Sequence, residues 1–210
     1  MNFLRITAFC LCIHGQTKEA QGIPPRAAPT DYQSMVRAGN VTIAAEFTGH
    51  SVPTAQGPLT TEDYVVVETA FFGDADAKLK LSFDDFSLRI NGKKTPLTGQ
   101  PYGAVLSSLK DPEWQPAVPV DKKSKGGMSS GGGGGGGDKN DPPPSPPPIP
   151  IEVRRAMQQR VQKATLPEGD RTLPQAGLIF FQYRGKTTGL QSIELIYTGP
   201  AGKATVALQP

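Results

Sequence analysis

One low-complexity block constrains this chain of 210 residues more than any other feature. Seven consecutive glycines, Gly131 to Gly137, are followed by a proline-rich run from Pro142 to Pro150. Polyglycine has the largest backbone entropy to lose on ordering, and the block offers almost no apolar surface to offset that loss. We therefore predict a disordered insertion over residues 115–150, whose proline-rich end favours an extended polyproline II conformation.

Both flanks of this insertion show the two-residue apolar period of β-strands. Residues 41–47 alternate between apolar and polar or small side chains, as do two segments within 79–90. The run from Tyr64 to Phe72 is almost entirely β-branched and aromatic, which predicts a central strand covered on both faces. Asn91-Gly92 favours a tight turn, because both residues tolerate positive φ.

After the insertion, three more strand-like segments predict a closing meander of three strands, at 178–183, 191–197 and 204–208. Short strands separated by turn signals at this spacing are typical of sandwich or barrel domains. The sequence therefore predicts one all-β domain, an antiparallel β-sandwich over 39–210 that is interrupted by the insertion.

One helix is predicted directly after the insertion, at 151–165. Val153, Met157 and Val161 recur every four residues and give it an apolar side, which Ala156 and Ala164 share. Its basic residues form the candidate interaction surface: Arg154, Arg155, Arg160 and Lys163. Such a helix suits a membrane surface or an acidic partner. The favoured interpretation is a sandwich-capping helix with a solvated face, because its apolar side lacks large aromatic residues.

Residues 1–22 have the order of a secretory signal, with Arg5 before an apolar run over 6–13 and polar residues after it. We therefore expect an exported protein, in the periplasm, outer envelope or extracellular space, with a flexible linker over 23–38. Cys10 and Cys12 both lie inside this signal, so a mature chain would carry no disulfide. Large residues precede both cysteines and disfavour a lipid anchor. No other segment predicts a membrane span.

The order of the strand-like blocks resembles a group of exported bacterial immunoglobulin-like domains, often found on uncharacterised lipoproteins. The blocks that carry the likeness are Tyr64 to Val67, Asp85 to Leu88 with Gly92-Lys93, Gly177 to Phe181, and Ser192 to Tyr197. The resemblance implies an immunoglobulin-like β-sandwich in an envelope or extracellular setting, and no particular activity. The insertion, its helix and the missing lipobox depart from the pattern.

Short motifs give no catalytic assignment. Ser129 lies in a Gly-x-Ser-x-Gly match, but it stands in low-complexity sequence and no histidine follows residue 50. Ser107 and Lys110 fit Ser-x-x-Lys without the companion motifs of penicillin-recognising enzymes. Gly199 to Thr205 evokes a phosphate-binding loop, but the turn chemistry of glycine and proline favours a hairpin. We predict no catalytic residue, no cofactor and no enzymatic activity, with a hydrolase as the least supported alternative.

The net charge and the candidate metal ligands argue against nucleic acid and metal ions as partners. The formal net charge of +3, from 22 basic and 19 acidic residues, is too balanced for a nucleic-acid binding surface. Four aspartates in predicted turns could supply oxygen ligands for Ca²⁺, as loops of sandwich domains sometimes do: Asp74, Asp76, Asp84 and Asp85. Because they lack EF-hand spacing, the favoured interpretation is a solvated acidic turn. The two histidines of the chain are too few for a histidine-based zinc site.

These observations favour a non-enzymatic binding or structural module of the cell envelope or of the secreted space. Its expected partner is an envelope protein or a glycan, and neither nucleic acid nor a metal is expected. The alternative is a membrane-surface scaffold that makes peripheral contact through the basic helix at 151–165.

Overall fold

The computed structural model describes residues 21–114 and 149–210. Its elements, in chain order, are β1 Ser34–Ala38, β2 Val41–Gly49, β3 Ser51–Val52, β4 Leu59–Thr61, β5 Tyr64–Phe72, β6 Lys78–Leu81, β7 Phe86–Ile90, β8 Leu97–Gln100, α1 Tyr102–Val105, β9 Leu109–Lys110, α2 Ile151–Ala164, β10 Gly169–Thr172, β11 Gln175–Gln182, β12 Ile193–Gly199 and β13 Gly202–Leu208. Nearly all of the predicted signal and of the predicted insertion lies outside the described residues.

Eight strands form one sheet, in the order β1-β2-β5-β11-β8-β7-β12-β13. All of its pairings are antiparallel. The outermost strands, β1 and β13, lie beside each other, and the Gln33 side-chain amide donates to the Gln209 carbonyl at 3.1 Å. The sheet is therefore nearly closed on itself, and the prediction of an all-β fold is confirmed.

Both faces of β5 and β11 are covered. Val67 of β5 and Ile179 of β11 belong to the main core inside the nearly closed sheet. Their neighbours Val66 and Phe180 point the other way, into a second cluster beneath α2. All four side chains are fully buried, and each contributes roughly 1.5–3 kcal/mol by leaving water. The prediction of a central strand at Tyr64–Phe72 is confirmed.

The predicted helix is confirmed as α2, one residue shorter than expected. Met157, Val161 and Ala164 are buried in the second cluster, which also receives residues from the small sheet β3-β4-β9. Ala156, expected on the same side, is exposed instead. After α2 the chain crosses directly over Gly177, where a Cβ would stand 2.2 Å from the Leu166 Cα. Only glycine permits this close approach.

The three strands of the predicted meander and the pairing of the last two are confirmed, but the pairing of the first with the second is wrong. β11 pairs with β5 and β8, whereas β12 pairs with β7 and β13, so β11 and β12 are not neighbours. Periodicity identifies the buried face of a strand but does not identify the strand's partner. The turn at Asn91-Gly92 does form: both residues have positive φ, and the Lys93 amide donates to the Ile90 carbonyl at 3.1 Å.

The sequence predicts a flexible linker over 23–38, but the structure places this segment on the sheet. The Ile23 amide donates to the Ala176 carbonyl at 3.0 Å, and Tyr32 is buried with its ring edge-on to Phe72. Residues 34–38 form β1. We call residues 22–33 the N-terminal strap. Its alanine- and proline-rich sequence resembles a linker because its contacts are long-range and leave no local period.

Candidate functional site

Helix α2 carries all four residues of the predicted interaction surface, and its packing separates them. Met157 and Val161 fix the helix against the outer face of β5 and β11. This orientation turns Arg160 inward and leaves Arg154, Arg155 and Lys163 exposed. The structure thus does not bring the four basic residues together on one surface.

Arg160 is an internal clamp. Its guanidinium pairs with the Asp111 carboxylate at 2.7 Å, and the two side chains are only 14% and 13% exposed. It also donates to Thr54 Oγ1 at 3.2 Å and to the Gly57 carbonyl at 2.9 Å. These bonds join α2 to the loop before β4 and to the chain after β9. Because most of its N–H donors are already used and its side chain is largely buried, Arg160 is not part of the exposed basic surface.

Arg154 and Arg155 line a groove of about 290 Å³ between residues 106–109 and residues 151–158, which we call the α2 groove. Buried Leu109 and Met157 lie at its floor. Ile151 stands at its edge and is 46% exposed, which is high for a large apolar side chain. The groove therefore combines an apolar floor with a basic rim.

Neither Arg154 nor Arg155 has an ion-pair partner within the part of the chain that the structure describes. None of the described residues that line the α2 groove carries a carboxylate. Both arginines also lie in the N-terminal half of α2, where the helix dipole adds positive potential. The electrostatic field of the groove favours a negatively charged partner.

Lys163 belongs to a different place. It lies at a second cleft, of about 260 Å³, between the C-terminal half of α2, the loop 53–56 and the start of the N-terminal strap. Its position in the last turn of the helix complements the negative end of the helix dipole. This structural role accounts for Lys163 without a ligand.

A second charged cluster, which the sequence did not predict, holds the N-terminal strap on the sheet. Arg26 forms ion pairs with Glu46 and, at 3.2 Å, with Glu68, whose side chain is only 10% exposed. The Arg26 guanidinium carbon also lies 4.5 Å from the centre of the Tyr32 ring. Burial raises the pKa of Glu68, while the charge of Arg26 opposes that shift. Because a buried charge is normally paired, a glutamate inside the apolar run 64–72 indicates that a cation lies against it.

The aspartates proposed as oxygen ligands do not form a cation site. Asp74 and Asp76 are exposed in the turn after β5, and Asp84 and Asp85 lie in the short helix before β7. Within residues 21–114 and 149–210, no three His, Cys, Asp or Glu side chains are grouped so that they could hold a metal ion. Burial raises the pKa of Asp85, and the nearby Asp84 raises it further.

The remaining motif residues have structural positions. Ser129 lies outside the described residues. Ser107 lines the α2 groove, and Lys110 pairs with Glu62 on the surface. Gly199 and Gly202 face each other where β12 turns into β13, which confirms the hairpin interpretation of this segment.

Comparison with known proteins found no matching family model, no similar curated protein and no similar solved structure. In the parts of the chain described, no helix has the length and apolar character required to cross a membrane.

Proposed function

We propose that this chain is a non-enzymatic binding module of the cell envelope or of the secreted space, and that it binds another protein through the α2 groove. One observation carries the proposal: α2 uses one arginine as an internal clamp and leaves two others beside an apolar groove, with no ion-pair partner in residues 21–114 or 149–210. The packing of α2 on the sheet uses Met157, Val161 and Ala164 and does not involve Arg154 or Arg155. Aromatic and aliphatic anchors with arginine neighbours are common in protein interfaces.

The proposed fold type is an immunoglobulin-like sandwich, in agreement with the resemblance of the strand blocks. The strands β1-β2-β5-β11 would form one layer and β8-β7-β12-β13 the other. Two observations support this division. The layers enclose a common core, and they are joined at only two paired positions, Phe180 with Gln100 and Phe181 with Gly99. The exported setting rests on the signal predicted at residues 1–22.

A crosslinking experiment in cells tests the binding function. A photo-crosslinking amino acid replaces Arg155 in the full chain. A matched variant carries it at Lys203 on β13, a position away from α2, because three strands lie between β13 and β11 in the sheet. We expect one protein adduct of constant size in the envelope or secreted fraction from position 155 and none from position 203. Equal crosslinking at both positions, or recovery of the chain in the cytoplasm, would contradict the proposal.

Association with a membrane surface is the second candidate function. Membrane association is favoured by the exposed side chains at one end of α2, where Arg154 and Arg155 lie together with Ile151. Flotation of the protein with anionic vesicles tests it. Membrane association requires that flotation decreases when Arg154 and Arg155 are replaced by glutamine, and that it weakens with added salt.

A further inference from the structure

We infer that the α2 groove binds an acidic, extended peptide segment of the partner protein. One apolar side chain of that segment enters the groove, and carboxylates on its flanks pair with Arg154 and Arg155. Protein binding by this groove is the proposed function, on which the inference rests. The chemistry of the partner is the new element.

The charge of the partner follows from the rim of the groove. Arg154 and Arg155 are exposed and have no ion-pair partner among the described residues, and no carboxylate lines the groove. An arginine guanidinium binds a carboxylate through two parallel hydrogen bonds, which gives direction as well as attraction. A segment with aspartate or glutamate would therefore be complementary at this rim.

The apolar anchor follows from the floor. Leu109 and Met157 line the groove and are only 5% and 3% exposed, so they give it an apolar floor. Methionine adapts to side chains of different shapes. The volume of about 290 Å³ lies at the small end of ligand cavities. It is suited to one large side chain and its neighbours, and it is too small for a folded domain.

The concave shape favours a peptide over a lipid surface. A bilayer meets a helix along an apolar face that projects outward, whereas the apolar atoms here lie below a rim formed by residues 106–109 and by α2. Among the large apolar residues of α2, only Ile151 is exposed, at 46%. Ser107 and Gln158, both exposed on the rim, offer hydrogen bonds that suit a peptide backbone.

Short fluorescent peptides test the inference on the full chain by anisotropy. The probe has a central leucine flanked by glutamates; one control has glutamine for every glutamate, and another has serine for the leucine. We expect the probe to bind, and each control to bind at least about tenfold more weakly. Binding of the probe should also weaken with salt. Equal binding of the glutamine control would overturn the inference.

Variants of α2 locate the binding. Replacing Arg154 and Arg155 together by glutamine should weaken the probe at least about tenfold, and Ile151→Ser should weaken it several-fold. The matched control is Lys163→Gln, which removes an exposed positive charge from the same helix at the other cleft and should leave binding within about twofold. An equal loss in Lys163→Gln, or no loss in the double arginine variant, would overturn the inference. Unchanged thermal unfolding establishes that each variant is folded.

Two outcomes separate this inference from the proposed function. If position 155 crosslinks to one protein but the acidic probe does not bind, the partner chemistry is wrong and the binding function stands. If vesicles of phosphatidylserine and phosphatidylcholine bind through Arg154 and Arg155 while neither the probe nor a crosslinked protein is found, both are wrong and the membrane alternative replaces them.

Discussion

Two arginines, Arg160 and Arg26, hold α2 and the N-terminal strap in place, and they differ in what surrounds them. Arg160 fixes α2 through one carboxylate and several neutral acceptors, and both members of its ion pair are nearly enclosed. Arg26 fixes the N-terminal strap between two carboxylates and is itself 33% exposed. The ion pair of Arg160 with Asp111, the α2 clamp, is thus buried on both sides. In the ion pair of Arg26 with Glu68, the strap clamp, only the glutamate is buried. We expect the first to contribute more to stability.

The largest effect is expected for Arg160→Met. The substitution leaves Asp111 charged and largely buried without its partner, so the free energy of unfolding should decrease by about 3 kcal/mol. Urea denaturation followed by circular dichroism measures it. Arg155→Met, the same change at an exposed site, is the control and should cost no more than about 0.5 kcal/mol. Similar losses in the two variants would show that Arg160 is not a clamp.

Arg26→Met should have an intermediate effect, a loss of about 2 kcal/mol, because Glu68 keeps its burial but loses its cation while Glu46 can turn to water. Hydrogen exchange at the Ile23 amide, which donates to Ala176, should accelerate more than exchange within β5. The matched control is Arg37→Met, which changes an exposed arginine on β1 in the same way. If the Ile23 and β5 amides accelerate equally, the strap is not a separate unit.

Glu68→Gln tests how the strap clamp responds to pH. Burial holds the folded-state pKa of Glu68 above its usual value of about 4.5, so the folded protein binds this proton more tightly than the unfolded chain does. The contribution of Glu68 to stability therefore increases as the pH falls through the raised folded-state pKa towards 4.5. At neutral pH the glutamine variant should be at least as stable as the wild type, by up to about 1 kcal/mol.

The decisive measurement is the difference in unfolding free energy between wild type and Glu68→Gln as the pH is lowered. We expect the difference to shrink on acidification. A difference that grows in favour of the glutamine variant would mean that the Arg26 pair outweighs burial. The exposed substitution Glu62→Gln controls for general charge effects.

The smallest effect is expected for the double substitution of Arg154 and Arg155 by glutamine. Both side chains are exposed and unpaired among the described residues, so the free energy of unfolding should change by less than about 0.5 kcal/mol. Thermal unfolding measures it. A loss comparable to that of Arg160→Met would show that these arginines support the fold, and it would remove the basis for assigning them to binding.

The sequence predicted the elements that local pattern determines. The strand Tyr64–Phe72 and the helix starting at Ile151 appear as predicted, because a two-sided apolar run and a four-residue apolar spacing are properties of neighbouring residues. The turn at Asn91-Gly92 follows equally from local conformational preference.

The pairing of strands and the burial of charged side chains depend on residues that are distant in the sequence, so they were not predictable. The short strand β8 pairs with both β7 and β11, and nothing in its four residues Leu97–Gln100 signals those neighbours. Likewise, four basic residues on one helix look equivalent in sequence. Arg160 is internal because of residues far from it in the chain, among them Asp111, which is 49 residues away. The groove wall at 106–109 was missed for the same reason.

The near closure of the sheet has a consequence for how copies of this protein behave at high concentration. Exposed strand edges offer unpaired amides and carbonyls to a second chain, which is the usual start of edge-to-edge aggregation. Here the edges of β1 and β13 face each other, and exposed Arg37 and Lys203 add like charges there. The outer strands of the smaller sheets have only two to four residues. Such a chain presents few edges on which another copy can grow.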